Sequence, residues 1–439
     1  MVPELSQQPS DAPILTGRAI LAVTIGNMLE FYDFITYSFF AIQIGNTFFP
    51  SHSQFDSLML SLATFGAGFV TRPIGALVIG AYSDRVGRRP AMILSFVMMG
   101  SAIIALALTP SYDAIGIAAP ILVIVARLVQ GFSLGGEVGP TTAYLMEAAA
   151  ENRRGLAVSW QPASQQIAAT AGALVGVVLS EVMTSEALDS YGWRIAFLIG
   201  AIAVPFGLWM RRSLPETLHR PESGTVIART GDSSIGEMRA NRRVMILGLL
   251  ILSSGTIITY VTDYMTTYAQ NTLHVATDLA FATTVVSNGL GIVAALYGGW
   301  LADRMGRWPV MVWPQLVALL LTYPVFLWIV DARSAWALLG GLGALSLIGT
   351  IPYSAFYVAL TEGLPKNIRG GTFGTLYAVA IVAFGGTAQL IVTWLIRVTG
   401  SALAPAWYMM VATAVGLVAM IMMHETAPAK RPVQATDHR

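Results

Sequence analysis

Apolar residues do not alternate or recur on one helical face along this chain; they run in long blocks separated by short polar stretches. A helix that crosses a lipid bilayer needs roughly 20 mostly apolar residues. With that template twelve blocks qualify, near 17–43, 54–80, 91–109, 116–146, 156–182 and 193–212, then 243–270, 279–300, 309–330, 335–361, 371–397 and 404–424. The longest polar stretch, 213–242, falls between the sixth and seventh blocks and carries the breakers Pro215, Pro221, Gly224, Gly231 and Gly236. The pattern therefore predicts an all-α membrane protein of twelve transmembrane helices in two six-helix halves. Its parts are a tail (1–16), an N-terminal half (17–212), a linker (213–242), a C-terminal half (243–424) and a second tail (425–439).

A short charged segment punctuates each half at the same place. Gly80-Ala-Tyr-Ser-Asp84-Arg85-Val-Gly87-Arg88-Arg89-Pro90 separates the second and third blocks and reads as a tight turn. A degraded copy, Gly299-Trp-Leu-Ala-Asp303-Arg304-Met-Gly306-Arg307-Trp-Pro309, follows 219 residues later, between the eighth and ninth blocks. A second echo joins Glu147 and Arg153-Arg154-Gly155 to Glu362, Lys366 and Arg369-Gly370. Two parallel six-helix repeats are the architecture of a transporter whose halves rock about a midplane site.

Composition agrees with a lipid solvent. Hydrophobic residues make up 55% and charged residues 11%, against about a quarter charged in soluble domains. All but five of the 25 Lys and Arg fall on one side if the N-terminus is cytoplasmic, which predicts both termini inside. The first sixteen residues lack the basic flank and cleavage site of a secretory signal, so the first block is expected to remain as a span. A net charge of +1 gives no nucleic-acid footprint. Cysteine is absent, which removes thiol chemistry and disulfides. The five histidines, at 52, 219, 274, 424 and 438, lie outside the confident spans, which argues against a histidine relay or a metal cage. No grouping of nucleophile, base and orienting residue marks an enzyme, and no cofactor is called for.

Charged and polar residues inside the blocks are the candidates for function. Each charge there costs roughly 2.5–3.5 kcal/mol on insertion scales, so such residues usually face a cavity. Glu30 and Asp33, three apart, share a face of the first helix. Burial and a like-charged neighbour both favour the neutral carboxyl, which makes the pair the candidate proton carrier, Asp33 first; a structural carboxylate bonded to backbone or to an arginine is the alternative. Arg127 and Glu137 share the fourth helix about 80° apart around its axis, so they need not pair with each other. Arg127 offers a forked guanidinium to a substrate carboxylate or to a helix-one carboxylate. Arg72 in the second helix is the other basic candidate, with a helix bend at Pro73 as its alternative reading. Gln161, Ser164 and Gln165 form an uncharged donor and acceptor stripe on the fifth helix, suited to carboxylates and hydroxyls or to packing between helices. Tyr260, Asp263, Tyr264, Asn288, Tyr377 and Gln389 are further polar positions of the second half. Tyr353 and Tyr357, after Pro352, are the ones expected to line a cavity.

The Gly-x-x-x-Asp-Arg-x-Gly-Arg-Arg segment and its echo resemble the signature loop of the major facilitator superfamily, and Arg127-x-x-Gln130-Gly131 its fourth-helix motif. Gly26-Asn27-x-x-Glu30-x-x-Asp33-Phe34, Arg72-Pro73-Ile74-Gly75, Ser159-Trp160-Gln161-x-x-Ser164-Gln165-Gln166, Phe48-Phe49-Pro50 and Arg211-Arg212-Ser213-Leu214-Pro215-Glu216-Thr217 are similar to the metabolite:proton symporter family, nearest its citrate and tricarballylate members. The fifth helix lacks the Gly-Pro motif of drug:proton antiporters.

The resemblance implies a monomeric functional unit in a bacterial-type inner membrane, with a small organic anion, protons and lipid as its partners. The residues themselves make Arg127, Arg72, Gln161, Ser164, Gln165, Tyr353 and Tyr357 the candidate substrate contacts, and Asp33, Glu30 and Glu137 the candidate proton-coupling groups. The resemblance also implies a gate of Asp84, Arg85, Arg88, Glu147, Asp303, Arg304 and Arg307, which latches one side while the other is open. A topogenic basic loop is the plain alternative for the first of these segments. Trp308, where an arginine is usual, implies a weaker lock in the second half. Dicarboxylate or zwitterion cargo, antiport, and signalling without flux are the rival readings.

Overall fold

The computed structural model describes residues 17–86, 88–135, 138–213, 241–365 and 369–428. Twelve long helical rods account for nearly all of them. The N-terminal half comprises α1 (Gly17–Phe39), α2 (Gln54–Val70 and, after a break at Thr71, Arg72–Val86), α3 (Arg88–Leu108), α4 (Ala118–Leu134 and Val138–Glu147), α5 (Arg154–Val182) and α6 (Trp193–Ser213). The C-terminal half comprises α7 (Arg242–Asn271), α8 (Thr277–Met305), α9 (Arg307–Ala332), α10 (Ala335–Gly363), α11 (Arg369–Ala380, a wide-turn segment Ile381–Gly385, then Gly386–Thr399) and α12 (Ala404–Met422). In lipid every backbone N–H and C=O must be satisfied within the segment, and a helix does this without a partner. Eight of the described helical stretches are long and apolar enough to cross a membrane. Of the predicted linker 213–242, residues 214–240 lie outside the described residues, as do the first tail and residues 429–439 of the second.

The signature segments are less turn-like than the sequence suggested. α2 runs to Val86 and α3 begins at Arg88, so the charges sit on helix ends. In the copy a single residue separates α8 from α9: Gly306, at φ 99°, a conformation costly for any residue with a Cβ. These connections, with the starts of α5, α7 and α11, gather at one end of the bundle, here the charged end.

The halves meet along α5 and α8, along α2 and α11, and between α1 and α7. α5 and α8 run antiparallel. At the charged end a Cβ on Gly155 would lie 2.4 Å from the carbonyl oxygen of Gly299, and towards the other end Gly176 lies under the ring of Phe281. Backbone-to-backbone approach of this kind is available only to glycine, and it packs two helices tightly where no water-driven hydrophobic effect operates between them.

Candidate functional site

A cavity of about 100 Å³ lies between the halves, room for several waters or one small organic molecule. From the N-terminal half α1 contributes Phe31 and Ile35, and α5 contributes Gln165 and Gln166. The C-terminal half supplies most of the wall: Thr256, Thr259, Tyr260, Thr262 and Asp263 from α7, Asn288 from α8, Tyr353 and Tyr357 from α10, and Tyr377 from α11. Gln165 donates to the Tyr377 hydroxyl at 3.2 Å, a hydrogen bond across the cavity from one half to the other. Tyr353 is anchored by Ser254 (2.9 Å) and Gln315 (3.1 Å), so its ring is held by polar contacts at its far end.

The arginines stand behind this wall. Arg127 is fully buried, with its guanidinium over the rings of Phe34 (4.1 Å to the centroid) and Tyr37 (4.5 Å). Arg72 lies over Phe34 (4.7 Å) and Phe69 (4.6 Å). Cations this close to aromatic faces gain from the ring quadrupole. One Arg127 nitrogen donates to Gln130 at 2.6 Å, whereas its Nε and its other terminal nitrogen have no partner among the described residues. Asp33 is buried, and both its oxygens also lack a hydrogen-bond partner among the described residues. Its charged neighbour is Arg127, near enough to be felt electrostatically but not bonded to it. Tyr260 of the other half stacks edge-on against Phe65 (5.9 Å) and Phe69 (5.4 Å), closing the arginine nest off from the cavity.

The fifth-helix stripe divides. Gln161 and Ser164 accept hydrogen bonds from Asn27 of α1 at 3.1 and 2.6 Å and so tie α5 to α1, which leaves Gln165 as the stripe's contribution to the cavity wall.

Contacts between the halves lie at both ends of the bundle. At the charged end Asp303 accepts hydrogen bonds from the backbone N–H groups of Gly155 (2.7 Å) and Leu156 (2.9 Å), the first turn of α5, where a carboxylate also meets the positive end of the helix dipole. Within the C-terminal half Arg307 bonds Asp303 at 3.0 Å and grips Glu362 through two nitrogens at 3.1 and 3.2 Å, holding Asp303 in place for those donors. Glu147 pairs with Arg369 across the halves at 3.3 Å. At the opposite end Gln389 donates to Ser38 at 2.5 Å and Phe40 packs on Phe281 at 5.1 Å. Arg304 does not join the lock; it stacks on Trp300 at 4.1 Å. Nor does Trp308: its backbone N–H donates to Glu425 at 3.1 Å, a contact that does not cross the halves. The side chains of Glu30, Asp84, Arg85 and Arg88, and the whole of Glu137, lie outside the described residues.

The Major Facilitator Superfamily model matches residues 23–385. The chain belongs to the Major Facilitator Superfamily. Among curated proteins it is 37% identical to a citrate-proton symporter of Salmonella typhi over 94% of this chain and 95% of that protein. It is 38% identical to a citrate-proton symporter of Klebsiella pneumoniae (92% and 91%), and 32% identical to the alpha-ketoglutarate permease of Escherichia coli K12 (94% and 95%). The solved D-xylose-proton symporter superposes with a TM-score of 0.73 at 17% identity, covering 93% of this chain and 97% of that one, which is a likeness of fold.

Membership makes the molecule a transporter, and a Major Facilitator transporter works by opening its central cavity to one side at a time. The charged residue at the cavity wall, Asp263, is one that sequence reasoning noted among the polar positions but did not select. The signal was the cost of an ionisable residue within a span, the criterion that selected Asp33.

Glu425 supplies a test of packing at the charged end of the C-terminal half. Burial alone would raise its pKa, but backbone N–H donors from Ala427, Arg307, Trp308 and Thr426 hold it below the ordinary value of 4.5. A depressed carboxyl contributes stability above its unfolded pKa and loses it as pH falls through the folded value. Glu425→Ala is therefore expected to lower the melting temperature by a few degrees at pH 7, and by less in acid, in thermal unfolding of the detergent-solubilised protein. An equal loss at both pH values would dismiss the role.

Proposed function

We propose that this transporter carries a small organic anion, citrate or a related tricarboxylate, into the cell together with protons. The observation that carries the reading is Arg127: a guanidinium buried within the bundle beside the central cavity, with two donor nitrogens unpaired among the described residues. Such a group suits an incoming carboxylate, which it can bind through parallel charge-assisted hydrogen bonds. The choice of cargo is supported by likeness: the citrate-proton symporters, at 37% and 38% identity, are nearer than the alpha-ketoglutarate permease at 32% and the proline/betaine transporter of Escherichia coli K12 at 29%.

In this reading Arg127 and Arg72 receive the cargo when Tyr260 withdraws with the C-terminal half. Asp33 holds Arg127 electrostatically in the empty carrier, and protonation of Asp33 frees that charge for the anion. Each ligand then favours closure by binding one state better than the other. Gln165, Tyr353 and Tyr357 complete the cargo's polar contacts. The charged end faces the cytoplasm, since basic residues collect there. One chain in a bacterial inner membrane forms the working unit, its two halves joined by the linker at 213–242.

The test is uptake of labelled citrate into proteoliposomes under an imposed inward proton gradient, challenged with tricarballylate, α-ketoglutarate, proline and betaine. Accumulation of citrate is expected, and its absence, or expulsion by the gradient, ends the reading. Asp33→Asn is expected to abolish gradient-driven accumulation while leaving citrate exchange; normal accumulation would move the proton elsewhere. A second reading, a zwitterionic osmolyte, is favoured by the cavity wall itself, which holds four tyrosines and Asp263, a lining suited to a quaternary or secondary ammonium. Competition by betaine stronger than by tricarballylate would select it.

A further inference from the structure

Asp263 sits one helical turn from Tyr260 on α7, is buried, and lines the central cavity. It is the only ionisable acid or base among the described residues of that wall apart from tyrosines. No described residue gives it a hydrogen bond or an ion pair, unlike Asp303, which holds two backbone donors and Arg307. The arginines that would neutralise it lie in the nest behind Tyr260, against Phe34 and Phe69. Every other polar group at the wall is neutral: Gln165, Gln166, Thr256, Thr259, Thr262 and Asn288 lead that set.

We infer that Asp263 is a second proton site, which must be protonated before an organic anion enters the cavity. The inference rests on the organic-anion reading above. A carboxylate cargo and an ionised Asp263 would place two like charges at one cavity of about 100 Å³, and Arg127 and Arg72, which meet the cargo from the far side of Tyr260, do not reach Asp263 to neutralise it, so low dielectric strengthens the repulsion. Protonation removes the charge and turns the carboxyl into a donor for a cargo oxygen. The proton arrives with the cargo, stays on Asp263 while both ends are shut, and leaves when the cavity opens to the less acidic side and the anion departs. No bond other than O–H is made or broken. Proton and anion are thus obliged to travel together by exclusion of the alternative charge state, within the C-terminal half and separately from Asp33 in α1.

The surroundings leave Asp263 as the group that titrates in this space. Tyr260 on its own helix, Tyr353 and Tyr357 on α10 and Tyr377 on α11 are the titratable groups facing the cavity, and phenols lose their protons only well above neutral pH. α1 presents Phe31 and Ile35 there, while Asp33 does not reach the wall; α8 and α12 present Asn288 and Met409.

The experiment measures citrate affinity of the purified full-length protein between pH 5.5 and 8.5, in wild type, Asp263→Asn and Asp263→Glu. Citrate's own titration is common to all three and cancels in the comparison. One obligatory proton weakens affinity by about tenfold per pH unit once the site is ionised. Asp263→Asn, a permanent mimic of the protonated state, is expected to bind citrate with a slope shallower by that factor, and to keep citrate exchange in proteoliposomes. Asp263→Glu, which restores a titratable carboxyl, is expected to recover the steep slope and so to separate the proton site from a fold defect. A wild-type slope in a folded Asp263→Asn protein overturns the proposal while leaving the anion reading intact. Betaine or proline binding that is lost in Asp263→Asn also overturns it, by assigning the carboxylate to a cationic group. Wild-type protein that binds no di- or tricarboxylate at any pH fails the anion reading, and this proposal with it.

Discussion

Arg127→Gln is expected to abolish citrate accumulation in proteoliposomes and to weaken citrate binding by well over tenfold, while leaving a folded protein. The size follows from the site. Truncating one member of a buried, hydrogen-bonded charge pair costs roughly 2–5 kcal/mol, and each 1.4 kcal/mol is tenfold in affinity. In the empty carrier Arg127 uses only one nitrogen, toward Gln130, and leaves Nε and the other terminal nitrogen unpaired. Those donors stabilise nothing described in the resting fold, so their removal is felt chiefly when cargo binds. Stability is expected to change less than affinity, because the relief of a desolvation penalty is set against the lost stacking on Phe34 and Tyr37 and the loss of Asp33's charged neighbour. Arg127→Lys separates charge from geometry: an ammonium keeps the positive charge but loses the fork and the stacking on Phe34 and Tyr37, so its affinity falls between the two. Binding measured beside thermal unfolding reads the result. Affinity within a few-fold of wild type in Arg127→Gln would remove this arginine from the cargo site.

The fold was legible because lipid leaves few choices. An apolar block of the right length must be a helix, and α5, expected at 156–182, is observed at Arg154–Val182. Errors fell where charge, rather than apolarity, sits on a helix. Asp303 and Arg304 read as a turn yet belong to the last turn of α8, because only Gly306 is needed to redirect the chain. The site was legible residue by residue but not in its arrangement. Helical spacing put Gln161, Ser164 and Gln165 on one face, and no spacing rule says that Asn27 of another helix takes up the first two. Arg127 and Arg72 were visible as charges in lipid, but the aromatic rings that hold them come from α1 and from the neighbouring turns of α2. The same ignorance of neighbours hid Asp263, whose distinction is the lack of a partner.

Gly155→Leu is expected to hold the carrier open at the charged end and stop transport, though it touches neither cargo nor proton. A Cβ at this position would lie 2.4 Å from the Gly299 carbonyl oxygen and 2.7 Å from Asp303 Oδ1. The first of these is backbone, with no rotamer to escape into, so α5 and α8 must part. Parting also breaks both hydrogen bonds from Gly155 and Leu156 to Asp303. Hydrogen bonds to a charged group contribute roughly 1.5–3 kcal/mol each, and about 5.5 kcal/mol moves a two-state equilibrium from 99:1 to 1:99. Glu147–Arg369 cannot compensate, because Glu147 is half exposed and such pairs contribute at most about 1 kcal/mol. Each half keeps its own packing, since the clash lies between them, so the protein still folds. The chain has no cysteine, which makes Thr259→Cys on the cavity wall a single reporter. Labelling of that thiol from the charged end is expected to rise at least about tenfold when Gly155→Leu is added, with citrate binding from that end kept within a few-fold and uptake lost. Unchanged labelling with normal uptake would mean that α5 and α8 need not touch for the cycle to turn, and that the Asp303 contact is incidental to it.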